Sequence, residues 1–449
     1  MKRGMKAKSV KINLTDHDYR TPMKFGGRIV EKITLLDARL TAESPGGKTA
    51  EGLGSMPLCT TWGWPSKKLS SDQTMAATKL QAKKIAGLMN DCPVSGHPID
   101  IACQLEEEWL KAGEEACREM GFDEMMPKLN SLVTSSVFDA ALHDAYGKLL
   151  GMNVYDCYSA EYMDHDLGHY LDNRFKGEYL DTYTLRKPKE SIPLYHLVGA
   201  LDPVFPSDVQ QPVGDGLPEH LSAWIEKDRL THLKIKLNGD DLGWDVERVV
   251  AIDRVAEEIQ QKLGVSQWFY SLDFNEKCEN AEYVLAFLKK VQEKQPEGMG
   301  RVQYIEQPTH RDLKSHPENK MHAVAKIKPV VIDESLIDYG HFLLAEEMGY
   351  SGVALKACKG QTGALLMGAA AQKSNRFLCV QDLTCFGASF LHSAGLAARV
   401  PTVAAIEGNG RQYLPPAAYQ DWADKYPEAY TVKNGTIRTG VLTGPGLGH

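Results

Sequence analysis

From about residue 192 onward, short apolar runs alternate with stretches whose apolar residues recur at helical spacing. The clearest unit begins at Leu233, Ile235 and Leu237, which alternate with Lys234 and Lys236 at the period of a strand. Behind it, Val246, Val249, Val250, Ala256 and Ile259 recur as one helical stripe, and a further apolar run covers 268–272. Strand, helix, strand predicts a parallel sheet, which is usually buried on both faces. Candidate strands lie at 194–198, 233–237, 268–273, 302–306, 329–333, 352–357, 377–382 and 402–406. Eight is the number that closes a parallel barrel. An open doubly wound sheet is the competing architecture, but no glycine-rich phosphate loop follows its would-be first strand.

The first 160 residues have another rhythm. Strands are predicted over 28–43 and 50–58, joined by the turn Pro45-Gly46-Gly47-Lys48. The loop Trp62-Gly63-Trp64-Pro65 follows, then helices over 72–90, capped by Ser70 or Ser71, and over 105–120. A third helix carries Val133, Val137, Phe138, Ala141, Ala145 and Leu149 as one apolar stripe and ends at Gly151. Strands followed by helices give an α+β unit over 28–160. The basic residues 1–27 are expected to be a solvated extension. Residues 161–192, polar and without a clear period, are expected to be an irregular insertion, with His165 and His169 on its surface. The barrel then covers 193–412, and a turn-rich segment covers 413–449.

Composition narrows the class. The chain is 43% hydrophobic and 24% charged, as in soluble globular proteins. No apolar run reaches the roughly 20 residues of a membrane span, and the start lacks an apolar signal core. The net charge of −8 counts against a nucleic-acid partner. Nine cysteines without a pairing pattern are expected as reduced thiols in the cytoplasm.

Polar residues recur at the ends of successive barrel strands. Asp273, Glu306 and Asp333 each close a predicted strand, one strand–helix repeat apart, so three carboxylates are expected together on the C-terminal rim, where barrel enzymes keep their sites. Oxygen-only ligands of this charge suit a hard divalent ion, most often Mg²⁺, with Asn275 as a supporting contact. Two lysines on a buried strand face need partners, because a desolvated ammonium is costly. Lys234 and Lys236 precede the acids and Lys356 follows them, which puts amines on both sides of the ion.

This ordered set resembles the enolase superfamily, and within it the muconate-lactonizing group of the mandelate racemase relatives. The matching segments are Lys234-Ile235-Lys236, Asp273-Phe274-Asn275, Glu306-Gln307-Pro308, Asp333-Glu334-Ser335 and Lys356-Ala357-Cys358-Lys359; residues 47–58, 133–151 and Gly446-Leu447-Gly448 resemble the family's capping domain and tail. The resemblance implies a modified (β/α)8 TIM barrel of (β/α)7β type under an α+β capping domain, with the C-terminal segment packing back on that domain. It also implies Mg²⁺-assisted removal of the proton α to a substrate carboxylate through an enediolate, giving racemisation or epimerisation, β-elimination, or cycloisomerisation. By residue, Asp273, Glu306 and Asp333 would hold the metal and Lys236 and Lys356 would be the acid/base pair. Lys234 would hold the substrate carboxylate and lower the proton affinity of Lys236. Asp382, Glu407, Trp62 and Trp64 are candidate substrate contacts, as is the turn 45–48. The expected partner is a small-molecule carboxylate, with no nucleic acid and no membrane, and the chain is expected to be a homo-oligomer.

Three features depart from the family's pattern. Gly360-Gln361-Thr362-Gly363 stands where a Gly-Gly pair is usual, the seventh strand has no His, and Ile406-Glu407-Gly408 replaces the Asp-x-Asp of dipeptide epimerases. Two readings from other classes remain: a barrel glycosidase using two rim carboxylates, which requires neither metal nor lysines, and a binding protein that keeps the fold without turnover.

Overall fold

The computed structural model describes residues 3–25, 28–90 and 92–449. Its first sheet has the order β3-β2-β1-β4, from β1 (Met5–Phe25), β2 (Arg28–Glu43), β3 (Thr49–Leu58) and the short β4 (Ser95–Gly96). Residues 5–25 are therefore not the solvated extension expected from their charge. They pair antiparallel with β2 from Lys6↔Glu43 to Phe25↔Arg28, across irregularities between Ala7 and Ser9 and between Asp18 and Met23. Lysines at alternate positions disguise the strand: Val10 is buried against the core, and Ile12 and Leu14 pack on it half-buried.

Three helices cover one face of this sheet: α1 (Ser71–Met89), α2 (Pro98–Glu119) and α3 (Lys128–Leu150). Ser70 and Gln73 form a capping box at the start of α1. Helix α2 starts seven residues ahead of its expected position, because Pro98 fits its first turn and the His97 side chain accepts from the Ile99 amide. Helix α3 ends at Gly151, whose φ of +68° closes it in the left-handed region. Its burial is not one stripe: Asp139, His143 and Asp144 are as buried as Val137 and Phe138. The helix lies between β2 and β3 on one side and the barrel on the other, so both faces need packing. Glycine on β3 permits that closeness, since a Cβ at Gly54 would lie 1.8 Å from the Val137 carbonyl oxygen.

The barrel strands are β5 (Ser191–Val198), β6 (His232–Lys236), β7 (Phe269–Asp273), β8 (Val302–Glu306), β9 (Val330–Ile332), β10 (Gly352–Lys356), β11 (Phe377–Gln381) and β12 (Ile406–Glu407). Each pairs in parallel with the next, and β12 pairs with β5 to close the ring. Tyr195, Tyr304, Val331, Ala354, Cys379 and Ala405 fill its lower interior. Seven of these strands fall where the apolar runs put them, shifted by a few residues at their ends, and the eighth shares only Ile406 with the expected 402–406.

Residues 161–189 carry only short helical turns, anchored by the fully buried Phe175 and Leu180. His165 and His169 are exposed and stack with ring centroids 4.1 Å apart. After the barrel, β13 (Thr436–Arg438) pairs antiparallel with β5. The last residues return to α3, where Asp144 Oδ1 accepts from the Leu447 amide at 2.9 Å and the Val154 amide donates to the Gly446 carbonyl at 2.7 Å. Among the described residues no helix is long and apolar enough to cross a membrane.

Candidate active site at the barrel mouth

Strand register alone assembles most of the site. Lys236 lies opposite Asp273, and Asp273 opposite Glu306, so three inward side chains of neighbouring strands share one row. Asp333 follows β9 directly, and across the mouth Lys356 lies opposite Gln381. Asp273, Glu306 and Asp333 are each at most 1% exposed. A small cavity of about 10 Å³ is lined by six carboxylates (Asp273, Glu306, Asp333, Glu334, Asp382 and Glu407) and by the ammonium groups of Lys234, Lys236 and Lys356.

Lysine contacts hold these acids. Lys234 Nζ lies 2.8 Å from Glu306 Oε2, 2.9 Å from Glu407 Oε2 and 3.1 Å from Asp273 Oδ2. Lys236 pairs with Asp273, Lys356 Nζ lies 2.8 Å from Asp333 Oδ2, and Lys359 Nζ lies 3.0 Å from Asp333 Oδ1. The Asn275 amide donates to Asp273 Oδ1 at 2.8 Å, so Asn275 supports an acid through its backbone. Among the described residues no three acid, imidazole or thiol groups surround one point as a ligand set, because lysine nitrogens stand between the carboxylates.

The electrostatics follow from burial and charge count. Burial by itself would strip the proton from Lys234, but Glu306, Glu407 and Asp273 together outweigh it and hold its ammonium well above the ordinary lysine range. Lys356 follows the same pattern: burial lowers its proton affinity, and Asp333 chiefly restores and raises it. Burial also opposes ionisation of Asp273 and Asp333, yet the adjacent lysines hold both well below the usual carboxylate range. Glu306 goes the other way, pushed well up by burial and by Asp273. Burial and Asp333 push Glu334 up to about 8, and burial and Glu407 push Asp382 up to about 8.

Acids outnumber ammonium groups around the cavity by six to three, or six to four with Lys359 included. Glu334 Oε2 and Asp382 Oδ1 are buried without hydrogen-bond partners, and Asp333 Oδ2 is ion-paired to Lys356 but out of line for a hydrogen bond. A pocket short of positive charge, with carboxylate donors only, fits a hard divalent cation.

The remaining expected contacts divide. Trp62 lines the cavity, donates from Nε1 to Glu334 Oε1 at 2.9 Å, and has its ring centroid 4.6 Å from Lys356 Nζ. Trp64 does not reach the site: it is buried against Ala77, Cys117 and Met126 and donates to Glu124 Oε1 at 2.6 Å. The turn 45–48 is also remote, because Lys48 reaches the Leu149 carbonyl at the far end of α3. Glu407 lines the cavity; Asp382 lies one residue past β11 and accepts from the amides of Cys385 at 3.1 Å and Asn409 at 3.4 Å.

Several site residues escaped sequence reasoning. Gln381 faces inward and donates from Nε2 to Glu306. The end of β1 reaches the barrel, where Met23 packs on Leu197 and Tyr413, and Lys24 Nζ lies 3.3 Å from Asn238 Oδ1. Alternation of Val10, Ile12 and Leu14 was the available signal for that strand, and the lysines beside them masked it.

An eight-stranded parallel barrel, roofed by an α+β domain and carrying opposed lysines around rim acids, defines the class. The family model for the enolase C-terminal domain-like fold matches residues 216–449, more than half of the chain, and the chain belongs to that family within the enolase superfamily. No curated protein sequence matches it. Among solved structures it is similar to the L-Ala-D/L-Glu epimerase of Bacillus subtilis in a substrate complex, with TM-score 0.63, 17% identity and 98% of each chain covered. It is also similar to the muconate lactonizing enzyme of Pseudomonas fluorescens complexed with muconolactone (TM-score 0.61, 17% identity, 99% of this chain and 96% of that one). A third is a dipeptide epimerase of Enterococcus faecalis complexed with Mg and the dipeptide L-Leu-L-Tyr (TM-score 0.61, 16% identity, 99% of each chain). Identities this low establish a shared fold.

Proposed function

We propose that the protein removes the proton α to the carboxylate of a small-molecule acid and returns it, or expels a neighbouring group, in a Mg²⁺-dependent isomerase or lyase reaction. The observation that carries this reading is the single buried cavity in which Lys234, Lys236 and Lys356 meet Asp273, Glu306 and Asp333. Asp273, Glu306 and Asp333 would hold Mg²⁺. When bound, the ion supplies fixed positive charge against which a carboxylate can take on a second negative charge.

The chain's own residues divide the remaining work. Lys236 and Lys356, on opposite sides of the mouth, each give or take the proton at the α-carbon. Their general acid/base contribution is about 10² to 10⁴ in rate. Lys234, a permanent ammonium at the floor, attracts the substrate carboxylate. Lys356 is held protonated by Asp333 as it stands. With Asp333 drawn away, Lys356 loses its largest support, and burial and the Lys234 charge then favour the neutral base against Glu306 and Glu407. Trp62 excludes water from that side. The neighbours complexed with a dipeptide and with muconolactone support a small-molecule carboxylate as substrate.

The test is incubation of the purified protein with Mg²⁺ in D₂O and a panel of dipeptides, N-acyl amino acids and acid sugars. Deuterium uptake at an α-carbon that stops with EDTA is the expected result. Uptake indifferent to EDTA, or hydrolysis of aryl glycosides alone, would sink the reading.

A further inference from the structure

Lys356 ends β10, which pairs with β9 and β11, and the short turn Ala357–Lys359 follows it. Lys356, Lys359, Gly360, Thr362 and Gly363 border a cavity of about 310 Å³ between the capping helices and the barrel. The segment that places the lysine thus borders this space, although its residues are buried. The helix Gln361–Lys373 begins immediately after this turn, and Gly360 has no side chain with which to cap it. Its exposed amides need an acceptor from elsewhere.

That acceptor comes from the other domain. Asp139, in the middle of α3 and 3% exposed, accepts from the Thr362 amide at 2.8 Å and from Thr362 Oγ1 at 2.7 Å. Gly360 has φ +100°, and a Cβ there would lie 2.9 Å from Asp139 Oδ2, so glycine is what lets the carboxylate approach. The contact continues inward in one consistent direction. His143 Nε2 donates to Thr362 Oγ1 at 2.9 Å, and the Tyr158 hydroxyl donates to His143 Nδ1 at 2.8 Å. Gln361 Nε2 in turn donates to Tyr158 at 3.3 Å, and His392 Nε2 donates to Gln361 Oε1 at 2.9 Å. Every group in this chain is buried.

We infer that Asp139 is a positioning residue for Lys356: from the capping domain it caps the helix that follows the lysine and fixes the turn between them where it borders the cavity. It touches neither substrate nor ion and acts through Thr362. The inference rests on the acid/base role proposed above for Lys356. It makes one of the two opposed lysines depend on how the two domains are docked.

The experiment compares the full-length protein with Asp139→Ala, Asp139→Asn and Thr362→Ser. Hydrogen exchange read by mass spectrometry over 357–366 should accelerate tenfold or more in Asp139→Ala, and less in Asp139→Asn. Thr362→Ser keeps the hydroxyl and should match the native protein. Peptides from β6 and β7 should not change. On a panel substrate, α-carbon exchange should slow at least tenfold for the enantiomer served by Lys356 and stay within twofold for the other, a face-specific loss that general destabilisation does not produce. Unchanged exchange over 357–366, or equal slowing of both enantiomers, would overturn the inference. If Lys356→Ala leaves substrate exchange intact, the acid/base reading fails instead, and the amide measurement still decides whether Asp139 holds the turn.

Discussion

Lys234 is the most consequential single cation in the site, and Lys234→Met measures how much. The ammonium is 1% exposed and lies 2.8, 2.9 and 3.1 Å from three carboxylates that are themselves buried. At an effective dielectric of about 20, each contact is worth roughly 5 to 6 kcal/mol before desolvation. Burying the ammonium takes back several kcal/mol. Removing one partner of a buried pair while leaving the other typically costs about 3 to 5 kcal/mol, and that is the expected loss at pH 8. The loss should depend on pH. Without the lysine, Glu306, which burial and Asp273 already push well up, loses the ammonium that opposed them, so the native variant binds a proton that the unfolded chain releases. Its stability then falls as pH rises above the ordinary carboxylate range. Urea unfolding with EDTA at pH 5 and pH 8 should show a small deficit at the lower pH and the full deficit at the higher. A loss under about 1 kcal/mol at pH 8, or one that is the same at both pH values, would refute the charge argument.

Other outcomes follow from the same geometry. Lys236→Ala and Lys356→Ala should each lower α-carbon exchange by about 10² to 10⁴, on opposite enantiomers, as read by NMR in D₂O. Gly54→Ala puts a methyl 1.8 Å from the Val137 carbonyl oxygen and should cost about 3 kcal/mol or more in thermal unfolding, whereas Gly46→Ala, with nothing within 4 Å, should be near neutral. Ser70→Ala removes half of a capping box and should cost about 1 kcal/mol in the same assay.

The barrel was legible because parallel strands buried on both faces leave dense apolar runs, and because Asp273, Glu306, Asp333 and Lys356 each close one. The strand β1 was not, since its outward lysines and aspartates outweigh the buried residues beside them. The partition of Trp62 and Trp64 was equally hidden: two residues apart in one loop, they turn to opposite sides, one to Glu334 and one to Glu124. Gln381 was missed because its role comes from register, opposite Lys356, and nothing in a lone glutamine before Asp382 announces it. The Asp139 contact lies beyond sequence reasoning for a related reason. An acid on a long helix reads as a surface charge until the second domain is seated on it.

The central claim is that three barrel acids can share one cation. Crystals grown with Mn²⁺ and measured for anomalous scattering test it directly. The account predicts one strong peak per chain, bonded to carboxylate oxygens of Asp273, Glu306 and Asp333, with the Lys356 ammonium no longer on Asp333. Crystals with no peak at the barrel mouth, and with Lys234, Lys236 and Lys356 still seated on those acids, would contradict it.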